Sequence, residues 1–373
     1  GRLSFGLVLP DLTEDILGSY SGAGIAVMAN LGAQFVGLFC VIALSRRFDA
    51  ATLVKAGLVG TIAGMAVVNV ATSYAVLVAG MAAAGFFAAA VWTPGAAVIA
   101  RSVPESRRGF SLGVATAGAG IGIIVSGRLA VLTDRIEGPG SWRVLWAIQL
   151  GISVVVMVLT LLLVRTEPLV VRRDTTPSTR TALRGLPAVG PLLVGFAAFG
   201  VVFSVFASYL VAMLEDDAAF TGPHAATAYS VFGLTSIGGG ILLGRASDTI
   251  GRRLTLMGCA ATMGLCGLVV LAHAEPWVTA ASAVCGLAMT GVGATTAAYV
   301  GDNLSAGEMA AVYSAVSASI GAAQFIGPPV GGVLADVTGS FTTTFVLVAA
   351  FGLAAAGSFS RLPRDRRVRT ASR

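Results

Sequence analysis

Long apolar runs separated by short polar turns dominate this chain, with no strand-like alternation of apolar and polar positions. An apolar run of about 20 residues is long enough to cross a lipid hydrocarbon core as an α-helix. In lipid the helix is the natural choice, because it satisfies its backbone hydrogen bonds internally. Reading runs against turn signals predicts spans at about 1–12, 19–43, 53–72, 75–100, 110–132 and 143–165, then at about 187–213, 224–244, 254–272, 277–300, 310–335 and 341–360. The first run is too short to cross alone, so the sequence is expected to open part-way through its first helix. The expected fold class is an all-α membrane protein with two bundles of six helices.

Composition agrees. The chain has 373 residues, of which 56% are hydrophobic and 11% charged, and its mean hydropathy is +0.87. A soluble domain carries about 25% charged residues, so this chain could not cover a water-facing surface. Its 48 glycines suit helices that pack closely in lipid. The four cysteines, Cys40, Cys259, Cys266 and Cys285, sit inside apolar runs without C-x-x-C spacing, and read as small packing residues.

Charge sets the topology. All but four of the 24 basic residues (Arg2, Arg128, Arg135 and Arg143) fall in the even-numbered turns, the central polar stretch or the C-terminal tail. The intervening turns carry Asp11, Glu14, Asp15, Asp134, Glu137, Glu215, Asp216 and Asp217. Basic loops stay in the cytoplasm, so both termini and the central linker are expected there, in a multi-pass protein of the bacterial inner membrane. The domain boundaries follow: an N-terminal bundle over 1–165, a cytoplasmic linker over 166–186, a C-terminal bundle over 187–362 and a basic tail over 363–373. The basic residues lie in scattered short clusters, which argues against nucleic acid as a partner.

One turn carries a specific pattern. Gly244-Arg245-Ala246-Ser247-Asp248-Thr249-Ile250-Gly251-Arg252-Arg253 separates two apolar flanks. It resembles the signature loop of the major facilitator superfamily, G-x-x-x-D-x-x-G-R-R/K, placed between the second and third helix of a six-helix half. The opening Gly1-Arg2-Leu3-Ser4-Phe5-Gly6-Leu7-Val8-Leu9-Pro10 resembles the first helix of the YbfB/YjiJ-like branch, with Leu3 and Phe5 replacing its Phe and Tyr. The resemblance implies a secondary transporter with two pseudo-symmetric six-helix bundles. A weak internal copy agrees: Gly118–Gly122 leading to Asp134 resembles Gly321 leading to Asp336. The first-half counterpart of the signature loop, near Ala43–Thr52, is degenerate, with Arg47 where Asp248 stands once Gly57 is aligned with Gly258.

In the family such an aspartate lies beside the cytoplasmic start of the fifth helix. The resemblance therefore implies a conformational gate made of Gly244, Asp248, Gly251, Arg252 and Arg253 with Arg108. The alternative is a loop that only orients its hairpin; arginines alone would serve that purpose, which favours the gate. The substrate cavity is expected to use Arg2, Asn30, Gln34, Tyr209 and Gln324. An arginine deep in the membrane is costly and usually faces a partner or an aqueous cavity, unless the chain truly begins there and Arg2 sits at the surface. Asn30 and Gln34 are four apart and share a helix face. Each of these uncharged groups could equally make an interhelical hydrogen bond. Asn69, Gln149 and Tyr299 belong to the same class. Arg128 is expected to snorkel or pair with Asp134.

No carboxylate stands at mid-span, and the nearest, Asp11 and Asp336, lie toward the outer face. Gly327-Pro-Pro-Val-Gly-Gly332 resembles the family's antiporter signature, but stands on the eleventh span rather than the fifth, so antiport is not inferred. The family's usual fourth-helix arginine is replaced by Met81, four before Gly85. There is no Walker loop, clustered metal-ligand motif or nucleophile elbow, so no cofactor, metal or enzymatic activity is expected. The reading is an alternating-access transporter of a small organic solute, an anion being favoured by Arg2. It would be a monomer in the lipid bilayer, coupled to a proton or a counter-solute. The rivals are a proton-coupled multidrug exporter on the same fold and a membrane receptor that binds without transport.

Overall fold

The computed structural model describes residues 2–138, 140–166, 183–304 and 306–364. Among them every regular element is helical. The chain opens with two short helices, α1 (Arg2–Phe5) and α2 (Leu9–Leu12), and a π-helical turn over Thr13–Leu17 that ends at Gly18 with φ +68°. Eleven long helices follow. In the first half they are α3 (Tyr20–Leu44), α4 (Ala50–Asn69), α5 (Tyr74–Ser102), α6 (Glu105–Glu137) and α7 (Trp142–Leu163). In the second they are α8 (Val189–Asp216), α9 (Gly222–Ile250), α10 (Arg252–Val269), α11 (Trp277–Asn303), α12 (Ala306–Thr338) and α13 (Thr342–Phe359). All eleven contain a stretch long and apolar enough to cross a membrane.

Helix ends follow local chemistry. Ser19 accepts a hydrogen bond from the Gly22 N–H and starts α3; Asp49 accepts from Ala51 and Thr52 and starts α4. Several helices outrun their apolar sequence. α9 was expected to end near Gly244 but continues to Ile250, and α10 begins at Arg252. The signature segment is therefore helical on both sides of a single residue. Gly251, at φ +103°, makes the whole turn in a backbone conformation that side-chain-bearing residues rarely adopt.

The two halves repeat one packing scheme. α3 packs on α5 as α9 packs on α11; α4 packs on α7 as α10 packs on α13; α4 meets α5 as α10 meets α11. Two seams, α3 with α12 and α6 with α9, join the halves, and the repeat exchanges one seam for the other. This is the pseudo-twofold arrangement of two bundles. α1 and α2 lie against α6 and α8, in the place of a first helix.

Burial grades from the centre outward. The most apolar window of α8 is 61% buried, whereas that of α7 is only 17% buried and presents Leu161, Leu162 and Leu163 outward. Such a belt of outward leucine and valine would be untenable in water and is natural in lipid. One end of the molecule carries Arg46, Arg47, Arg245, Arg252 and Arg253, and is here called the basic end. The other carries Asp11, Glu14, Asp15, Asp216, Asp217 and Asp336, and is called the acidic end.

Candidate functional site

Among the described residues, the polar contacts between the halves gather at the acidic end. Asp336, near the end of α12, accepts hydrogen bonds from the backbone N–H groups of Tyr20 (2.9 Å) and Ser21 (2.7 Å). These are two of the free donors at the start of α3, where the helix dipole favours an anion. A carboxylate of one half thus caps a helix of the other. The Tyr20 hydroxyl donates to Asp216. Tyr209, fully buried on α8, donates to the Pro328 carbonyl at 2.6 Å and reaches the Tyr20 carbonyl at 3.3 Å. Phe341 meets both tyrosines, edge-to-face with Tyr20 at 4.7 Å and tilted against Tyr209 at 5.6 Å by ring centroids.

Glycines bring the backbones together there. A Cβ on Gly24 would lie 2.6 Å from the Pro328 carbonyl oxygen, and one on Gly332 only 2.1 Å from that of Tyr20. The hydrogen bonds therefore rest on direct contact between α3 and α12. Nearby, the carboxylates of Asp11, Glu14, Asp134, Glu215 and Asp216 stand close enough to repel one another.

Beneath this seal lies a small cavity between the halves, with about 20 Å³ of free space. That holds about one water molecule. It is lined by Gly6, Val27, Leu31, Ser204, Ser208 and Gln324 together with Phe203 and Ala207. On its basic side Phe35 of α3 meets Phe325 of α12 at 6.3 Å. The cavity is mostly apolar, with two hydroxyls and one amide to orient a guest.

Of the expected cavity residues, Gln324 lines this space. Asn30 is buried and donates to the Met81 carbonyl at 2.7 Å, tying α3 to α5 inside the first half. Tyr209 holds the acidic-end seal. Gln34 is half-buried on α3. The side chain of Arg2 lies outside the described residues. Ser204 and Ser208 escaped the sequence reading. Their spacing of four puts them on one helix face with Phe203 and Ala207, and a Ser-x-x-x-Ser pair in an apolar run is the signal that would have found them. Gln149 belongs to a buried chain instead: Ser4 donates to it at 2.8 Å, and it reaches Ser126 at 3.3 Å.

At the basic end Arg252 gathers three partners. Its guanidinium meets Asp248 at 2.6 Å, Asp302 at 3.0 Å and the Ser247 hydroxyl at 2.5 Å. This ties α9, α10 and α11 into one body around Gly251. Its side chain is only 12% exposed, so the interaction is stronger than a surface pair. Asp248 is 59% exposed and open to solvent on its free side. The Arg108 side chain, the expected partner across the halves, lies outside the described residues. Gly244 lies beside Ala294 of α11. Arg253 keeps a buried Nε without a hydrogen-bond partner. Among the described residues no group of three or more potential metal ligands occurs.

A sequence-family profile described as "Uncharacterised MFS-type transporter YbfB" matches residues 1–361. No curated protein matches the chain. Among solved structures, a bacterial homologue of the human lysosomal transporter Spinster, in an inward-facing and unoccupied conformation, superposes with a TM-score of 0.75. The two share 14% sequence identity over 96% of this chain and 94% of that one, a likeness of fold.

Proposed function

The chain belongs to the family of MFS-type transporters described by the uncharacterised YbfB, and from that premise we propose that it is a secondary active transporter of a small organic solute, working by alternating access. The observation that supports this reading most is the distribution of contacts between the halves. They are zipped at the acidic end by Asp336, Tyr20 and Tyr209, directly above a cavity that both halves line. Transport would exchange that seal for one at the basic end.

The basic loops support a reading in which the basic end faces the cytoplasm of a bacterial inner membrane, with both termini inside. Domain boundaries at 1–165 and 187–362 fit the repeated packing. The substrate is a small organic anion. Arg2 stands one helical turn before Gly6, which lines the cavity, and a cation there would attract a carboxylate while a proton or counter-solute supplies the energy. Gln324, Gln34, Ser204 and Ser208 would orient it, and Asn30 and Tyr209 would hold the walls.

Gate closure at the basic end would use Asp248. Arg252 keeps Asp302 when Asp248 leaves it, so the carboxylate is free to meet the start of α6 near Arg108. Gly244 and Gly251 would allow the approach, with Arg253 beside them. The chain would act as a monomer. Reconstitution into proteoliposomes tests this reading. Gradient-driven accumulation of a small carboxylate is expected, slowed by Asp248→Asn without loss of folded protein. Binding of solutes with no flux under any imposed gradient would make the chain a receptor and end the proposal.

A further inference from the structure

The chain's opening helical segment is broken where it meets the cavity. α1 ends at Phe5, α2 begins at Leu9, and Gly6 lies in the break. In an unbroken helix the Gly6 carbonyl would accept from the N–H four residues on, but that residue is Pro10, which has none. Among the described residues no group donates to the Gly6 carbonyl oxygen. The break is pressed against the second half: a Cβ on Gly6 would fall 2.3 Å from the Ala207 carbonyl oxygen and 2.9 Å from that of Ser208.

Gly6 lines the cavity of about 20 Å³ together with Ser204, Ser208 and Gln324. Ser204 donates its hydroxyl hydrogen to the Val201 carbonyl at 3.2 Å, so its oxygen is left to accept. Ser208 is only 9% exposed, and neither its hydroxyl nor the Gln324 amide has a hydrogen-bond partner among the described residues. The Gly6, Ser204 and Gln324 oxygens are thus all acceptors around a space that holds about one water. A single water, with a hydrogen for each of two, leaves one of them unmet. A small cation serves them all. No ionisable side chain lines the cavity, so a proton has no carrier there. Neutral oxygens suit a hard cation of single charge, whereas calcium and magnesium are bound through carboxylates. The freed carbonyls of broken spans coordinate ions of this kind.

We propose that the cavity binds one alkali-metal cation, sodium or potassium, through the Gly6 carbonyl, the Ser204 and Ser208 hydroxyls and the Gln324 amide oxygen. Gly6 belongs to the first half and the other three to the second, so rocking of the halves would pull the site apart and release the ion. Arg2 stands one turn before Gly6, and a carboxylate bound there offsets its charge, so ion and anion favour each other's binding. Service as the coupling ion, in place of a proton, rests on the transport reading; the site itself does not.

Equilibrium dialysis of the purified full chain in choline acetate tests the proposal, with radioactive sodium and radioactive rubidium, the latter standing in for potassium, as probes. One of the two ions is expected to saturate at one per chain and to resist excess choline. Ser208→Ala should weaken retention about tenfold, the effect of losing one oxygen contact to a charge. Pro10→Ala touches no ligand: it supplies the missing N–H, which claims the Gly6 carbonyl, and should weaken retention as much. No saturable retention of either ion would overturn the proposal and leave water as the occupant. So would retention unchanged in both variants. If Ser208→Ala fails to fold, Pro10→Ala still decides, since alanine is at home in a helix. A chain that retains the ion but moves no carboxylate keeps the site and loses the transport reading; carboxylate uptake on a proton gradient with neither ion retained does the reverse.

Discussion

The first and second halves of this protein share a packing plan and spend it differently. In the first, α4 and α5 are fused through glycines, while the turn before α4 is exposed and Asp49 caps the start of that helix. In the second, α10 stands off α11 over a groove, while the turn at Gly251 is bound into three helices by Arg252. Where the third and fourth spans meet, backbone contact holds the first half, and ion pairing at the preceding turn holds the second. A contact made of backbone and small residues cannot be exchanged, whereas an arginine with two carboxylates can change partners. The second half is thus the one suited to carry a switch at the basic end.

The comparison breaks most visibly at the paired glycines: a Cβ on Gly57 would fall 2.9 Å from both the Ala90 methyl and the Phe87 carbonyl oxygen, whereas one on Gly258 would have nothing within 4 Å. Gly57→Leu should cost about 3 kcal/mol by overpacking, read as a drop in melting temperature in detergent. Gly258→Leu should be neutral or gain up to about 1 kcal/mol from the loss of a helical glycine. Equal penalties would show the halves to be packed alike.

A second contrast concerns the acidic end. By the internal repeat Asp134 is the counterpart of Asp336, but the helix start that symmetry pairs with it reads Gly222-Pro223, and proline has no N–H to give. Asp336→Ala should therefore weaken closure by about 1 kcal/mol, as the loss of a helix cap does, and Asp134→Ala by much less. Spin labels on α3 and α12 would report the change as a shift toward longer distances at the acidic end. A matching shift from Asp134→Ala would make the two seams equivalent.

The turns give a smaller effect. Arg252→Gln leaves Asp248 and Asp302 without their shared cation and should cost about 1 kcal/mol, whereas Arg47→Gln, at an exposed position, should cost within ~0.5 kcal/mol. The smallest expected effect is on pH. Burial, and then the nearby carboxylates of Asp134 and Glu14, raise the Asp11 carboxyl above its ordinary range in the closed arrangement, so protonation of Asp11 favours that arrangement over an open one. The label distances at the acidic end should shorten as pH falls, and Asp11→Asn should flatten that response.

The spans, the basic and acidic ends and the arginine motif were legible in the sequence because they depend on local composition. The seal was not. Asp336 and Tyr20 are 316 positions apart, and nothing local marks an aspartate that caps a helix of the other half. The motif's place on helices rather than in a loop was missed because polarity at 245–250 imitates a turn; once a helix emerges from lipid its backbone ladder continues regardless. Asn30 and Tyr209 looked like cavity residues because an amide or phenol in an apolar span signals a partner without saying which one.

The donors of the seal in the first half are main-chain amides of Tyr20 and Ser21. A library that replaces every side chain of residues 1–165 by alanine would leave both amides in place, and at Tyr20 would report the loss of the hydrogen bond to Asp216 rather than of the cap. Only a residue without an amide hydrogen would unmask it. Ser21→Pro, at the second position of its helix, where α9 itself carries Pro223, is the single-residue key on that side.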